Sequence, residues 1–304
     1  MIKEVLEKTE ALEEKIQALL AEEEKTEEIK VLQEEKKKLL DSCKDLEPGD
    51  RVFLARHPRR PHVEDFVSAL FTDFFEQKGD HLYDEDRSIY GGIARFHGRP
   101  VTVLGHRKGR TVEENLSCNF GMTCPEGYRK AKRLMEQAEK FDRPIITFVD
   151  TPGAYPGLEA EQHGQGEAIA KNLAFMSSLH VPVIAVVTGE GSSGGALGIC
   201  VANKILMLEN AIYSVLSPEG FATILWKDSS RAAEAAKVMK LTAKDLKEAN
   251  VADEVVPESL GGAQDDPESL YKALDQILEK ALAYYEGMSR HEIRKDRLSK
   301  FRNI

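Results

Sequence analysis

Gly189, Gly191 and Gly194 fall on the G-x-G-x-x-G spacing of a dinucleotide-binding turn. Glu209 ends the next apolar run, where a ribose-binding acid would sit. The same stretch, VPVIAVVTGEGSSGGA from Val181 to Ala196, also satisfies G-x-S-x-G through Gly191, Ser193 and Gly195. That is the spacing of the elbow presenting a nucleophilic serine between a strand and a helix. A third chemistry needs no side chain: glycines at a helix start let a ligand reach backbone N–H groups, and the helix dipole favours negative charge there. Such a turn is an oxyanion hole. Glycine would equally suit close packing of strand on helix with no ligand at all.

The rest of the chain weighs these readings. A serine hydrolase needs a base, and only His291 follows Ser193, in a charged tail with Arg290, Arg294 and Lys295. His163 comes earlier, close to a second turn-rich segment, DTPGAYPG from Asp150 to Gly157, so a triad would need an unusual order. The dinucleotide fingerprint normally opens a domain, whereas here it follows at least two β–α pairs, with a crossover helix of only about ten residues from Gly194 to Asn203. Acids near these loops are few: Asp150, Glu159, Glu161 and Glu167. Asp150, placed before Thr-Pro, is expected to cap its own turn, so a paired-carboxylate mechanism has no support. The run His106, Arg107, Lys108, Gly109, Arg110 could hold a phosphate or carboxylate, or form a solvated loop.

Positioning these groups requires an α/β framework. Gly91 to Phe96 and Pro100 to Gly105 read as strands of a hairpin, Pro125 to Lys140 as a helix, and Pro144 to Val149 as a buried strand. Gly164 to Leu179 is helical; the glycine-rich strand, a short helix, and strands Lys204 to Glu209 and Ala211 to Leu216 follow. Asp266 and Pro267 supply a cap and first-turn proline for a helix reaching about Gly287, and Ser289 with Glu292 forms a capping box for a last basic helix. In a parallel sheet the segments 150–157 and 189–195 open on one edge, so one site lined by both is expected.

Before this framework, Ile2, Val5, Thr9, Leu12, Ile16 and Leu19, then Ile29, Leu32, Lys36 and Leu39, follow heptad spacing. The seam breaks in a glutamate-rich segment, which predicts two helices in an antiparallel hairpin over residues 1–47, ended by Pro48, Gly49 and Asp50. Residues 48–304 form the second unit.

With 304 residues, 41% of them apolar and 31% charged, the chain can bury one large core or two modest ones. No apolar run approaches the ~18 residues of a membrane span, and the N-terminus is not a signal sequence, so a cytoplasmic location is expected. Cys43, Cys118, Cys124 and Cys200 lack zinc-site spacing, so no metal is expected in this chain. A net charge of −10 argues against nucleic-acid binding.

Several longer strings carry a resemblance: GHRKGR at 105–110, NFGM at 119–122, PEGYRK at 125–130, IITFVDTPGAYPG at 145–157, GEGSSGGAL at 189–197, YSVLSPEG at 213–220 and LGGA at 260–263. Over nearly its whole length the chain resembles the carboxyltransferase α subunit of bacterial acetyl-CoA carboxylase, in the crotonase-like superfamily. The resemblance implies a spiral of ββα units and an α₂β₂ complex whose β subunit carries a zinc ribbon. It also implies a biotin carboxyl carrier protein and a biotin carboxylase as partners, and carboxyl transfer from carboxybiotin to acetyl-CoA, giving malonyl-CoA for fatty-acid synthesis. Family sites bind an oxyanion through backbone amides, which would fall here on Gly153-Ala154 and Gly194-Gly195 and face the biotin ureido oxygen. Arg107, Lys108 and Arg110 become candidates for holding CoA phosphates or the transferred carboxylate. Two positions depart from the expected pattern: Ser193 stands in place of glycine, and Thr123 in place of proline. A stand-alone crotonase-like hydrolase and a non-catalytic scaffolding subunit are the alternative readings.

Overall fold

The computed structural model describes residues 2–21 and 26–303. Two helices, α1 (Ile2–Ala21) and α2 (Thr26–Asp41), pack on each other, joined by the Lys36 to Glu13 ion pair at 3.0 Å. Ile2 and Leu6 at the start of α1 meet Leu40 and Cys43 at the end of α2, so the helices run antiparallel. The predicted break between them lies, at residues 22–25, outside the described residues. Helix α3 (Pro48–Ala55) starts at the proline read as a turn and adds Leu54 to the same cluster.

A short helix, α4 (Val63–Leu70), has apolar residues at Val63, Phe66, Val67 and Leu70, the spacing that buries one stripe. Three antiparallel strands follow: β1 (Thr72–Glu76), β2 (Ile89–Phe96) and β3 (Arg99–His106). The β2–β3 turn at His97 and Gly98 takes positive φ at both residues, 48° and 78°, as a two-residue hairpin needs. Next come α5 (Val112–Ser117) and α6 (Pro125–Lys140), whose bounds match the predicted helix because Pro125 fixes its first turn.

The sheet continues with β4 (Ile145–Thr151), followed by α7 (Leu158–Gln162) and α8 (Gln165–Ser178). Strand β5 (Val183–Ser192) is longer than expected and passes straight through Gly189 and Gly191, which are strand residues and not a turn. Helix α9 (Ser193–Leu197) has five residues, so the helix predicted to reach Asn203 stops after little more than one turn. Strands β6 (Lys204–Leu208) and β7 (Ile212–Ser214) lead into α10 (Pro218–Trp226), α11 (Ala232–Met239) and α12 (Ala243–Glu248). Strand β8 (Glu254–Val256), α13 (Pro267–Ala283) and α14 (Arg290–Arg302) close the chain.

The strands form one sheet in the order β1-β2-β3-β4-β5-β6-β8, parallel from β3 onward, with β7 paired to the far end of β5. The runs β2-β3-α6 and β6-β7-α10 are ββα units. Strand β5 pairs with two strands in turn: residues 184–187 with β6, and Glu190 to Ser192 with β7. Its buried β-branched run, with Ile145, Ile146, Phe148 and Val149 of β4, forms the centre of the core. Helices α6 and α4 both pack on β2 and β3, and α13 adds Leu270, Leu274, Leu278 and Leu282. The buried Arg297 of α14 donates to the carbonyls of Met176, Leu179 and Val181, fastening that helix to the end of α8. Among the described residues no helix is long and apolar enough to cross a membrane.

Candidate functional site

Because β4 and β5 are parallel neighbours, with Thr151 opposite Gly191, the two chemical loops leave the sheet on one edge and meet there. An ideal Cβ on Gly195 would lie 2.5 Å from the carbonyl carbon of Gly153 and 2.6 Å from the nitrogen of Ala154. Position 195 therefore admits only glycine. At Gly194 the nearest atom to such a Cβ is Ile169 Cδ1 at 3.7 Å, an ordinary contact. Gly153 takes a φ of 148°, and its N–H donates to Thr151 Oγ1 at 3.1 Å, so Thr151 caps this turn. Two peptide units this close, with no side chains between them, offer a ligand main-chain groups. N–H donors held in advance are the arrangement that stabilises developing oxyanions. Since α9 is only five residues long, fixed amides matter here and the helix dipole contributes little.

Asp150 does not cap its own turn. Its Oδ1 accepts from the Glu190 N–H at 2.9 Å and from Lys108 Nζ at 2.6 Å, bridging β4 to β5 and to the cationic run. Gly189 exists for this bridge, since a Cβ there would lie 2.5 Å from the same oxygen. Arg107 pairs with Glu64 and lies over the Tyr90 ring at 5.3 Å, while Arg110 pairs with Asp65 at 2.5 Å. Arg107, Lys108 and Arg110 line one cleft of about 900 Å³, shared with acids that include Glu64 and Glu114. Lys108 is the member of the run tied to the strand that carries the Gly153 turn. His106 is fully buried, and burial pushes its imidazole down to about 4 despite the opposing pull of Asp150.

The competing readings of the glycine segment lose their geometry. Gly191 is excluded from bearing a side chain by Tyr213, whose Cδ2 would lie 2.9 Å from a Cβ, and Glu209 lies 3.8 Å from Arg51 and accepts the Glu258 N–H at 3.2 Å. Ser193 is exposed with a φ of 58°, but His163 is bonded to Glu126 at 2.9 Å and packs on Tyr83, and His291 lies on α14. Among the described residues no histidine hydrogen-bonds to Ser193. Glu159, Glu161 and Glu167 lie on α7 and the first turn of α8, and Glu167 pairs with Lys171 at 2.6 Å. Among the described residues no three His, Cys, Asp or Glu side chains gather as a metal site.

Residues that were not singled out for chemistry support the junction from below. Thr123 forms a parallel bridge with Ala154, and its carbonyl accepts from Tyr155 N at 3.0 Å and Gln165 Nε2 at 2.8 Å. Tyr128 reaches the Gly195 carbonyl, and Asn172 Nδ2 donates to the carbonyls of Tyr128 and Gly198, both at 3.0 Å. Their spacing on α6 and α8 follows an ordinary helical core stripe, which conceals them in the sequence.

Stacked ββα units around a β4–β5 edge site define a crotonase-like fold, and solved structures share it. Transcarboxylase 12S, with hydrolyzed methylmalonyl-coenzyme A bound, is similar with a TM-score of 0.60 at 20% identity, over 74% of this chain and 42% of that one. A Pseudomonas malonate decarboxylase hetero-tetramer in complex with coenzyme A gives 0.57 at 20% identity, over 69% and 84%. In sequence, residues 2–304 match the family described as acetyl co-enzyme A carboxylase carboxyltransferase-like. The acetyl-coenzyme A carboxylase carboxyl transferase subunit alpha of Clostridium acetobutylicum is 54% identical over 265 residues, 87% of this chain and 97% of that protein. That of Bacillus subtilis is 53% identical over 278 residues, 91% and 86%. The chain belongs to this family of acetyl-CoA carboxylase carboxyltransferase α subunits, and is a subunit of a carboxyl-transferring enzyme.

Proposed function

We propose that this chain, paired with a β-type carboxyltransferase subunit in an α₂β₂ complex, moves the carboxyl group of carboxybiotin to acetyl-CoA, giving malonyl-CoA. The supporting observation is the seat of Gly195 on the Gly153–Ala154 peptide, which brings two main-chain turns together with no side chain between them. Carboxybiotin, arriving on a biotin carboxyl carrier protein after a biotin carboxylase has loaded it, supplies the carboxyl group and a ureido oxygen that becomes negative on transfer. The chain's own part is to hold amides of Gly153-Ala154 and Gly194-Gly195 toward that oxygen before charge develops. Such a donor contributes about 3 to 4 kcal/mol of transition-state stabilisation.

Arg107, Lys108 and Arg110 place positive charge beside the site, and we assign them to a carboxylate or to CoA phosphates. The related Pseudomonas malonate decarboxylase was solved in complex with coenzyme A, which agrees with this assignment. Residues 1–47 serve as a helical hairpin outside the site, and 48–304 hold it. The complex works in the cytoplasm, and zinc belongs to the β partner.

The test is co-production with a β-type subunit, followed by carboxyl transfer between malonyl-CoA and free biotin. Activity in the pair and none in the isolated chain is expected. Turnover by the isolated chain, or labelling of Ser193 by a fluorophosphonate, would favour the stand-alone hydrolase.

A further inference from the structure

Ser192 stands at the N-cap of α9, two residues before Gly194. A serine in that place ordinarily accepts from the N–H two or three residues on, positions filled here by Gly194 and Gly195. Thr111, Ser217, Thr242 and Ser289 do so at the heads of α5, α10, α12 and α14, each accepting from the third residue of its helix. Among the described residues Ser192 is the one hydroxyl N-cap that makes no such bond. Its Oγ donates instead to Glu190 Oε1 at 3.3 Å.

Strand geometry explains the diversion. Residues two apart on a strand share a face, and Glu190 to Ser192 is held as strand by its pairing with Ile212 to Ser214 of β7. Glu190 is itself fixed at both ends. Its N–H donates to Asp150 Oδ1 at 2.9 Å, and its buried carboxylate accepts from Arg56 Nε at 2.9 Å and Nη2 at 2.6 Å. The same guanidinium donates through Nη1 to Glu219 at 2.8 Å, in the first turn of α10, where the sequence reads SPEG. A charged acceptor holds a hydroxyl donor more strongly than a neutral one does. With its hydroxyl turned to that carboxylate, Ser192 leaves the N–H groups of Gly194 and Gly195 without a side-chain acceptor.

We infer that Glu190, clamped by Arg56, is a positioning residue that keeps the Ser192 hydroxyl off the Gly194 and Gly195 amides and so leaves them open to the reacting oxyanion. The inference rests on the oxyanion reading of those amides. Glu190, Arg56 and Ser192 touch no reactant. A capping bond would engage a donor that must be unengaged when charge develops. Ser192 is wholly buried, and a buried hydroxyl released from one partner takes another. The cap position supplies that other partner, so removing the Glu190 carboxylate turns Ser192 into a competitor for the site.

The test compares Glu190→Met, Ser192→Ala, the double variant and Gly195→Ala. In the full chain labelled at its glycine nitrogens, NMR is expected to show hydrogen exchange at the Gly194 or Gly195 amide slowed about fivefold by Glu190→Met, the scale of one added hydrogen bond, and restored in the double variant. In the α/β pair with malonyl-CoA and free biotin, Glu190→Met is expected to lower kcat about tenfold or more, with KM for malonyl-CoA within about twofold. Ser192→Ala alone should stay within about twofold of the parent, and in the double variant it should return kcat to within about threefold of that level, a rescue that a merely structural role of Glu190 cannot give. Should Glu190→Met fail to assemble, Glu190→Gln, which keeps the shape and gives up the charge, is read in the same way. Parental kcat in the Glu190 variant, unchanged amide exchange, or a double variant as slow as the Glu190 single each overturn the inference, and an inactive Gly195→Ala beside them leaves the oxyanion reading standing. Full activity in Gly195→Ala overturns both.

Discussion

Lys108 Nζ lies 2.6 Å from Asp150 Oδ1, and the same oxygen accepts the Glu190 N–H, so one carboxylate joins the cationic run to both strands that carry the site. Arg110 instead pairs with Asp65 on α4, and its side chain is 58% exposed against 20% for Lys108. Lys108→Met is therefore expected to lower kcat/KM about tenfold or more, the scale of a lost charge-assisted contact. Arg110→Met should lose only a few-fold, as for exposed ion pairs. Steady-state kinetics of the two variants in the α/β pair check this, and equal losses would contradict it.

His106 gives the fold an acid weakness. Burial holds its imidazole at about 4 in the folded chain, against an ordinary 6.5. Above 6.5 both folded and unfolded states are neutral; as pH falls below it, the unfolded chain takes up a proton that the folded one refuses. Stability thus declines from about pH 6.5 and stops declining near 4, by on the order of 3 kcal/mol in all. Denaturation curves of His106→Leu between pH 8 and 4 are expected to lack this part of the loss. A pH dependence identical to the parent's would refute the assignment.

The basic tail is anchored at its centre by a buried arginine, beside the Lys300–Asp253 and Arg290–Glu139 ion pairs. Arg297, wholly buried, serves three carbonyls at the end of α8 and the side chain of Asn203. Arg297→Ala strands these acceptors and should cost about 3 to 5 kcal/mol, with early proteolytic release of α14. Lys295→Ala, on the exposed side, should stay within about 0.5 kcal/mol. Urea titration with limited proteolysis distinguishes the two.

Ser193 sits at a φ of 58°, where an L-residue is strained by roughly 1 kcal/mol or more. Ser193→Gly is expected to stabilise the chain by about that amount and to leave carboxyl transfer intact, and Ser193→Ala should also remain active. Loss of activity in both would restore the nucleophile reading.

Elements marked by local chemistry were legible in the sequence: α6 begins at Pro125, the Ser289–Glu292 box opens α14, and Asp266 caps α13 through the Ser269 N–H. Two further elements also carry local signals. The Thr242–Asp245 capping box opens α12, and the spacing of Val63, Phe66, Val67 and Leu70 marks α4. Gly189 and Gly191 misled because their reason lies far along the chain, in Asp150 and Tyr213. The same holds for Asp150 itself, whose partners are Glu190 and Lys108 and not its own turn. Local pattern cannot report which side chain fills a space across a sheet.

The central claim is that a main-chain junction at Gly195 and Ala154 does the work. Its most direct test is the initial rate of carboxyl transfer by the α/β pair carrying Gly195→Ala, beside Gly166→Ala on α8, where an added Cβ meets nothing within 4 Å. We expect Gly195→Ala to lose at least about a hundredfold in kcat, the cost of removing an oxyanion donor, while assembly persists and Gly166→Ala matches the parent. A Gly195→Ala pair that transfers carboxyl groups at the parental rate would contradict the account.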